Sequence, residues 1–440
     1  MTAALLGCLA VAGCGGVSGP SHPTQRNPGG SRSTRPTIVK PSHLGQLSLS
    51  SASPQVLALR RVLDRELSGS GSKVGALVVN LSDDRALYAL KAALARPPAS
   101  VEKLYTSLAV LGLLGPDARL STRLLGTGHL RRNGLWEGNL YLQGGGDPSF
   151  GDGNWNRLQE DGYGPTATEL ATQLARRGIK RVSGHLYADA SLFDGQPGGP
   201  ATGGRPDIPD YGGQLSALVY DHGMTLGRLG PAEFAAHQLA ATLKLQHIKV
   251  VAARHTRTAP ATAQLLGEVY SPQLSTMVRL MDVPSDDLFA DLFTKQLGVR
   301  FGGMGTLSAG ARVISNYLIS HYGLHPLIFD GSGLDRKDRS SPAQIVSMLT
   351  QAWSSPSGQL LWDALPVVGR EGTVRSIGVH SYAAGHCVAK TGTLDNVTNL
   401  AGYCRTRSGT PIAFALFIDG PSNWPALVTL SRVIGSIAGY

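Results

Sequence analysis

Apolar side chains recur at helical spacing in a segment that follows two prolines near residue 100. Leucines stand three or four positions apart, at 104, 108 and 111, shortly after Pro97 and Pro98. Because proline fits only the first turn of a helix, the pattern predicts a helix that begins near Ser100. We expect this helix to end in the glycine-containing residues 112–115.

The same period recurs along the chain, and short apolar runs predict strands between the helices. Predicted helices cover residues 56–67, 166–177, 232–245, 273–281, 288–297, 342–353 and the segment after residue 425. Predicted strands cover residues 75–80 and 85–90, which form a hairpin, and residues 182–188 and 411–419. Residues 387–394 and 399–404 predict a second hairpin, and residues 328–334 predict a strand end with a turn.

Shifts in composition divide the chain into four parts. Residues 1–14 are small and apolar, too short to span a bilayer, and resemble a secretory signal that ends in a lipoprotein cleavage box. Either Cys14 is lipidated or a plain signal peptide is cut elsewhere. Residues 15–53, rich in Gly, Ser and Pro, predict a flexible linker. We expect a main domain at 54–119 and 264–440, and a smaller inserted domain at 120–263.

Composition and charge limit the classes of binding partner that we expect. The chain of 440 residues is 42% hydrophobic and carries a net charge of +10, which suits an anionic surface such as cell-wall polymer or membrane. No Lys/Arg-rich run with interleaved aromatic residues occurs, so nucleic acid is not expected. The four cysteines show no zinc-ligand spacing with histidines, and we expect no metal site and no cofactor.

Ser100 and Lys103 are the first candidate catalytic residues. They are three positions apart and therefore share a helix face, with Cβ atoms about 5–6 Å apart. A serine hydroxyl is a weak nucleophile, and a desolvated amine is one group that can take its proton. N–H groups at the helix N-terminus can stabilise negative charge. Ser-x-x-Lys also occurs in ordinary amphipathic helices, so the pair alone does not establish catalysis.

Two further polar motifs follow in order. Ser285-Asp286-Asp287 precedes a predicted helix, and Lys390-Thr-Gly-Thr393 ends one arm of the second hairpin. The set resembles the Ser-x-x-Lys, Ser-x-Asn and Lys-Thr-Gly motifs of active-site serine penicillin-recognising enzymes. The long interval between the first two motifs, and the blocks at 138–148, 190–194, 330–336 and 389–394, resemble the D-alanyl-D-alanine carboxypeptidase/endopeptidase family S13, the class C low-molecular-mass penicillin-binding proteins. The resemblance runs from about residue 54 to the C-terminus.

This resemblance implies an α/β fold of the β-lactamase/transpeptidase type, with an antiparallel sheet flanked by helices and a smaller inserted domain. It implies that Ser100 attacks the penultimate D-Ala carbonyl and forms an acyl-enzyme while Lys103 accepts the proton. Ser285 and Lys390 would relay a proton to the leaving amine.

The same resemblance implies how the substrate is held. Lys390 and Thr391 would bind the terminal carboxylate beside the open approach at Gly392. The backbone N–H groups of Ser100 and Thr393 would form the oxyanion hole.

The second motif departs from the family at Asp287, where the family has Asn. An amide both donates and accepts hydrogen bonds, whereas an ionised carboxylate only accepts. Its negative charge would favour the charged form of Lys103, so we expect a working but slower enzyme.

By resemblance, Arg336, Asp395 and Asp210 bind the diaminopimelyl side chain of the substrate. An acid and an arginine suit a zwitterionic group. The alternative for each is an ordinary surface-loop charge.

Cys387 and Cys404 lie symmetrically about the turn at 395–396 of the second hairpin. Opposed residues of an antiparallel pair can form a disulfide, and a bridge is expected outside the cytoplasm. The alternative is two free thiols.

Together these features predict an extracytoplasmic cell-envelope enzyme, a serine-type D-Ala-D-Ala carboxypeptidase that also has DD-endopeptidase potential. Its partners would be peptidoglycan stem peptides and β-lactams as covalent inhibitors. If Cys14 is lipidated, the outer face of the membrane would be a further partner. Two alternatives remain open: a β-lactamase or esterase of the same fold, and a non-catalytic wall-binding protein.

Overall fold

The computed structural model describes residues 53–70, 73–207, 212–420 and 422–440. The predicted signal segment with Cys14, and the linker up to residue 52, lie outside the described residues. Asp210 lies outside them as well.

Helices and strands alternate along the described chain. The strands are β1 (Val74–Asn80), β2 (Arg85–Leu90), β3 (Ser121–Leu130), β4 (Leu135–Gly144), β5 (Arg181–Asp189), β6 (Lys249–Thr256), β7 (Gln264–Tyr270), β8 (Cys387–Leu394), β9 (Val397–Arg405) and β10 (Pro411–Asp419). The helices are α1 (Pro54–Ser68), α2 (Lys103–Leu113), α3 (Gly153–Gln159), α4 (Ala167–Arg176), α5 (Pro231–Leu245), α6 (Leu274–Asp282), α7 (Asp287–Gly302), α8 (Leu307–Tyr322), α9 (Pro342–Trp353), α10 (Pro356–Ala364) and α11 (Asn423–Gly439).

The first sheet is antiparallel throughout and has the strand order β2-β1-β10-β9-β8. Successive side chains of a strand point to opposite faces. Leu77 and Val79 of β1 therefore pack with helices α2 and α6 to α10, whereas Ala76 and Val78 pack with α1 and α11. The predicted antiparallel sheet flanked by helices is confirmed.

A second, mixed sheet follows in the order β6-β5-β4-β3-β7, with β5 parallel to both β4 and β6. Its apolar face packs against α4 and α5 in a core of its own. The chain enters and leaves at adjacent points, because the Leu120 amide donates to Ser271 Oγ at 2.9 Å and the Ser271 amide donates to the Leu120 carbonyl at 2.8 Å. β7 follows residue 263 and still belongs to this sheet, and the division into domains stays a prediction.

Local sequence sets where several elements begin. Thr166 with Glu169 and Ser341 with Gln344 form capping boxes that start α4 and α9. The predicted strand end with a turn at residues 328–334 was wrong: these residues form bends, next to an isolated bridge between Leu327 and Arg339.

None of the helices formed by the described residues is both long enough and apolar enough to cross a bilayer.

Candidate active site

Ser100 lies in a single 3₁₀ turn, Ala99–Glu102, and α2 begins only at Lys103. The predicted helix start at Ser100 is therefore three residues too early, but the turn keeps the two side chains together. Lys103 is fully buried, and its Nζ donates to Ser100 Oγ at 3.2 Å and to the Ser332 carbonyl at 2.8 Å. It also forms a short ion pair with Asp287 Oδ1.

The second motif lies at the start of α7. Asp286 caps this helix by accepting from the Phe289 amide at 2.9 Å. Ser285 has a φ of 69°, a left-handed conformation that side chains other than glycine rarely adopt. The sharp turn before the helix brings Ser285 and Asp287 to different lysines, because Ser285 Oγ accepts from Lys390 Nζ at 2.6 Å.

The third motif lies on β8, an edge strand of the first sheet. Lys390 is fully buried, and its Nζ also donates to the Thr391 carbonyl at 3.1 Å. A Cβ atom on Gly392 would lie 2.4 Å from the Pro98 carbonyl oxygen, so only glycine permits this approach of β8 to the Ser100 turn. Asn399 of β9 donates to the carbonyls of Pro97 and Pro98 at 3.0 and 2.9 Å.

Burial and charge shift the acid–base properties of this cluster. Desolvation, and then the positive charge of Lys103, lowers the pKa of Lys390 to about 7. Burial raises the pKa of Asp287 to about 6, although Lys103 opposes the shift. Burial likewise raises the pKa of Asp282 to about 6; this carboxylate accepts from Ser107 Oγ at 2.7 Å. Two lysines and two acids thus share one desolvated region.

The residues predicted to bind substrate fall into two groups. Thr391 is buried, and its hydroxyl donates to Thr373 Oγ1 at 2.7 Å, whereas Thr393 is exposed. Arg336 and Asp395 are both exposed and lie together, because an Arg336 N–H donates to the Asp395 backbone carbonyl at 2.7 Å.

Cys387 and Cys404 are joined by a disulfide at the far end of the β8–β9 hairpin. They face each other in the antiparallel register, three positions before Lys390 along β8. The bridge therefore ties together the two strands that approach the Ser100 turn.

His222 also reaches the second motif, although it was not among the predicted site residues. The buried His222 Nε2 lies 2.7 Å from Asp286 Oδ2, and Trp155 stacks against its ring at 6.3 Å. His222 precedes α5 in the segment that follows β5, and so joins the region of the second sheet to the Ser285 motif. No spacing in the sequence indicated this contact between residues 222 and 286.

The arrangement offers two hydroxyl–amine pairs. Ser100 has Lys103 beside it, and a second hydroxyl–amine pair, Ser285 and Lys390, belongs to the same cluster through the lysine charges and Asp287. Such a set can deliver a nucleophile, a base and a proton donor to one bond.

An antiparallel sheet between helices, with these three motifs gathered beside its edge strand, defines the class of active-site serine, penicillin-recognising proteins. The model of the D-Ala-D-Ala carboxypeptidase 3 (S13) family matches residues 59–231 and 213–430. The chain belongs to this family.

Individual relatives agree with this assignment. The chain is 25% identical over 456 residues to a D-alanyl-D-alanine carboxypeptidase of Actinomadura sp. (strain R39), covering 84% of this chain and 82% of the relative. Penicillin-binding protein 4 of Haemophilus influenzae matches in structure with a TM-score of 0.73 at 19% identity, covering 86% and 99% of the two chains. A penicillin G-acylated predatory endopeptidase of Bdellovibrio bacteriovorus matches with a TM-score of 0.53 at 17% identity, covering 82% and 91%. At these identities the two structures show the fold.

Proposed function

We propose that the chain is a serine-type D-Ala-D-Ala carboxypeptidase that acts on peptidoglycan through an acyl-enzyme and is inhibited by β-lactams. The observation that carries this proposal is the gathering of Ser100, Lys103, Ser285 and Lys390, which are far apart in sequence, into one hydrogen-bonded and charge-coupled cluster. Family membership gives the reaction class, and the cluster supplies the groups that this reaction needs.

In acylation, Lys103 in its amine form takes the Ser100 proton as Oγ attacks the carbonyl carbon of the penultimate D-Ala. The tetrahedral intermediate collapses, the C–N bond breaks, and the departing amine of the terminal D-Ala receives a proton through Ser285 from Lys390. Water then attacks the acyl ester, its proton returns through Ser285 to Lys390, and Ser100 regains its proton from Lys103 as the shortened peptide leaves. The Lys103–Ser100 distance of 3.2 Å and the Lys390–Ser285 distance of 2.6 Å support these two proton paths.

Substrate binding uses the charge of Lys390 and the end of β8. Protonated Lys390 and Thr391 hold the terminal carboxylate, and the backbone N–H groups of Ser100 and Thr393 hold the oxyanion. Removing one such donor typically costs about 10²–10³ in rate. The tight fit of Gly392 against Pro98 supports the oxyanion assignment, because it brings β8 close to the Ser100 turn.

The diaminopimelyl side chain of the stem peptide is bound by Arg336 and Asp395, with Asp210 as a third contact. The hydrogen bond from Arg336 to the Asp395 carbonyl supports their acting together. An exposed acid and base side by side suit a zwitterion.

The same cluster would cut D-Ala-containing cross-links, so endopeptidase action is part of the proposal. The enzyme works outside the cytoplasm at the cell wall, and lipidation of Cys14 would hold it to the outer face of the membrane. Loss of palmitate labelling in Cys14→Ser tests the anchor, and labelling that survives this change overturns it.

Intact-protein mass spectrometry after benzylpenicillin treatment, combined with D-alanine release from a pentapeptide, tests the function. We expect a penicillin adduct on the parent, none on Ser100→Ala, and D-alanine release that depends on Ser100. An adduct that disappears within seconds, without D-alanine release, would indicate a β-lactamase. Peptidoglycan binding with neither adduct nor release would indicate a non-catalytic wall-binding protein.

A further inference from the structure

Beside the Ser100 turn lies a cluster of buried carboxylates that the proposed mechanism does not use. Glu102, Asp330 and Asp338, here called the carboxylate cluster, each offer one oxygen, and these oxygens lie within 4.8 Å of one another. The three residues are 1%, 1% and 0% exposed. Glu102 precedes Lys103, and the two aspartates belong to the loop between α8 and α9.

Part of the cluster is satisfied by the backbone. Asp330 Oδ1 accepts from the Gly333 amide at 2.7 Å, and its Oδ2 accepts from the Asp335 amide at 2.8 Å. Asp338 Oδ1 accepts from the Phe329 amide at 2.8 Å.

The other three carboxylate oxygens of the cluster lack a hydrogen-bond partner among the described residues. They are Asp338 Oδ2 and both carboxylate oxygens of Glu102. A buried polar group without a partner is costly, and an unpaired buried charge costs more.

Among the described residues, Lys103 offsets only part of this charge, and no cation forms an ion pair with the cluster. Lys103 is adjacent in sequence to Glu102, but its Nζ is directed to Ser100, Asp287 and the Ser332 carbonyl. Burial, and then repulsion from Asp338 and Asp330, raises the pKa of Glu102. The cluster therefore needs positive charge from outside the chain, as a metal ion or as protons.

We propose that Glu102, Asp330 and Asp338 bind a divalent cation of the class that prefers oxygen ligands, namely Mn²⁺, Ca²⁺ or Mg²⁺. Three carboxylates without sulfur or imidazole match this class rather than zinc. The two unpaired oxygens of Glu102 can bind as a bidentate ligand. The cysteine and histidine spacings that argued against a metal site do not bear on a site made of carboxylates.

A cation here would join two segments of the active site. Glu102 ends the turn that carries Ser100, and Asp330 lies two residues before Ser332, whose carbonyl accepts from Lys103. The ion would fix this turn against the loop. The inference concerns ion binding alone and does not depend on the peptidase activity.

Equilibrium Mn²⁺ binding, measured by electron paramagnetic resonance on the chelator-treated full chain, tests the site. We expect a single Mn²⁺ per chain, displaced by Ca²⁺ or Mg²⁺. Glu102→Gln and Asp338→Asn should each weaken binding by about tenfold or more, because each removes a ligand charge. Asp363→Asn, a charge-matched change at an exposed aspartate, should leave binding unchanged.

Thermal unfolding gives a second readout that guards against misfolded variants. Mn²⁺ should raise the midpoint of the parent relative to the chelator, because ligands that bind only the folded state stabilise it. Glu102→Gln is nearly isosteric and should unfold cooperatively with a midpoint that Mn²⁺ does not change. If that variant does not fold, the parent and Asp338→Asn decide the question.

Two results would overturn the proposal. One is a parent that binds none of the three ions more tightly than about 1 mM, the weak end of natural calcium sites. The other is binding that persists equally in Glu102→Gln or Asp338→Asn, which would place the ion elsewhere. In either case the cluster is neutralised by protons.

Discussion

At the residue scale, the proposed mechanism depends on which of two neighbouring lysines carries a proton. Lys103 is paired with Asp287, whereas Lys390 is paired with the neutral hydroxyl of Ser285. A carboxylate beside an amine stabilises the ammonium form, and a second positive charge in a desolvated site destabilises it. Asp287 therefore favours the ammonium form of a neighbouring lysine, whereas the closeness of the two lysines disfavours it.

Replacing Asp287 with Asn should speed acylation. The amide keeps the shape and still accepts from Lys103, but it removes the negative charge that favours the ammonium form of the base. We therefore expect a higher rate of labelling by fluorescent penicillin near pH 7, by up to about tenfold. Asp286→Asn offers no matched control because Asp286 caps α7; Asp363→Asn does. A rate no faster than the parent would mean that the substitution is neutral.

The charge of Lys390 should set the alkaline limit of activity. Its pKa of about 7 in the free protein means that the charge is present below pH 7 and is lost as the pH rises. Since that charge binds the terminal carboxylate in the proposed mechanism, kcat/KM for a D-Ala-D-Ala peptide should fall above about pH 7.

Two comparisons identify Lys390 as the titrating group. Lys390→Arg keeps a charge at all working pH values and should abolish the alkaline fall, even if its activity is lower throughout. A peptide with an amidated C-terminus should show a smaller fall in the parent, because it lacks the carboxylate contact but still needs the proton that Lys390 delivers through Ser285. An unchanged fall in Lys390→Arg would assign it to another group.

At the element scale, the site depends on the junction between α7 and the region of the second sheet. Leu288 and Leu292 of α7 pack with Phe193, Leu215 and Ala217 in a small separate core. His222 extends this junction to Asp286, which also caps α7. The second sheet thus contributes to the position of the Ser285 turn, although its strands carry none of the three motifs.

His222→Asn should weaken acylation without unfolding the chain. The shorter side chain loses the 2.7 Å contact with Asp286, while Asn tolerates the positive φ of 59° at this position. We expect a lower penicillin-labelling rate and a thermal midpoint near that of the parent. The exposed His325→Asn is the matched control. Labelling at the parental rate would show that the contact does not position Ser285.

At the scale of the whole molecule, folding buries many acids whose charged forms are disfavoured. Desolvation raises the pKa of Asp147 to about 6 and that of Glu160 to about 8, from ordinary values of 3.8 and 4.5. The folded state therefore binds more protons than the unfolded state between these limits. The net positive charge of the chain gives no indication of this.

Stability should accordingly fall as the pH rises from about 4.5 towards 8. Each acid contributes up to about 1.4 kcal/mol per pH unit between its unfolded and folded pKa values. Lys390, whose pKa is lowered, acts in the opposite direction only above pH 7. Urea unfolding at several pH values in the presence of chelator measures the slope. Glu160→Gln should flatten the fall between pH 6 and 8, and the charge-matched Glu233→Gln should not; a flat profile in the parent would contradict the assignment.

Local sequence determined much of the architecture, because helix starts, turns and strand alternation depend on neighbouring residues. The hairpin of β1 and β2, the helices around α4, α5, α6 and α9, and the opposed Cys387 and Cys404 were all evident in the sequence. α8 was missed, although Thr306 caps its start and Gly323 its end. Both residues are typical of helix ends, so α8 could have been predicted from the sequence.

Only the tertiary structure decided the properties that depend on burial and on distant contacts. The sequence by itself determined the motifs, their order and the family. It did not determine that His222 reaches Asp286, or that Glu102 is buried beside Asp330 and Asp338. These contacts join residues far apart in the chain, and the pKa of an acid or amine depends on the water and charges that folding leaves around it.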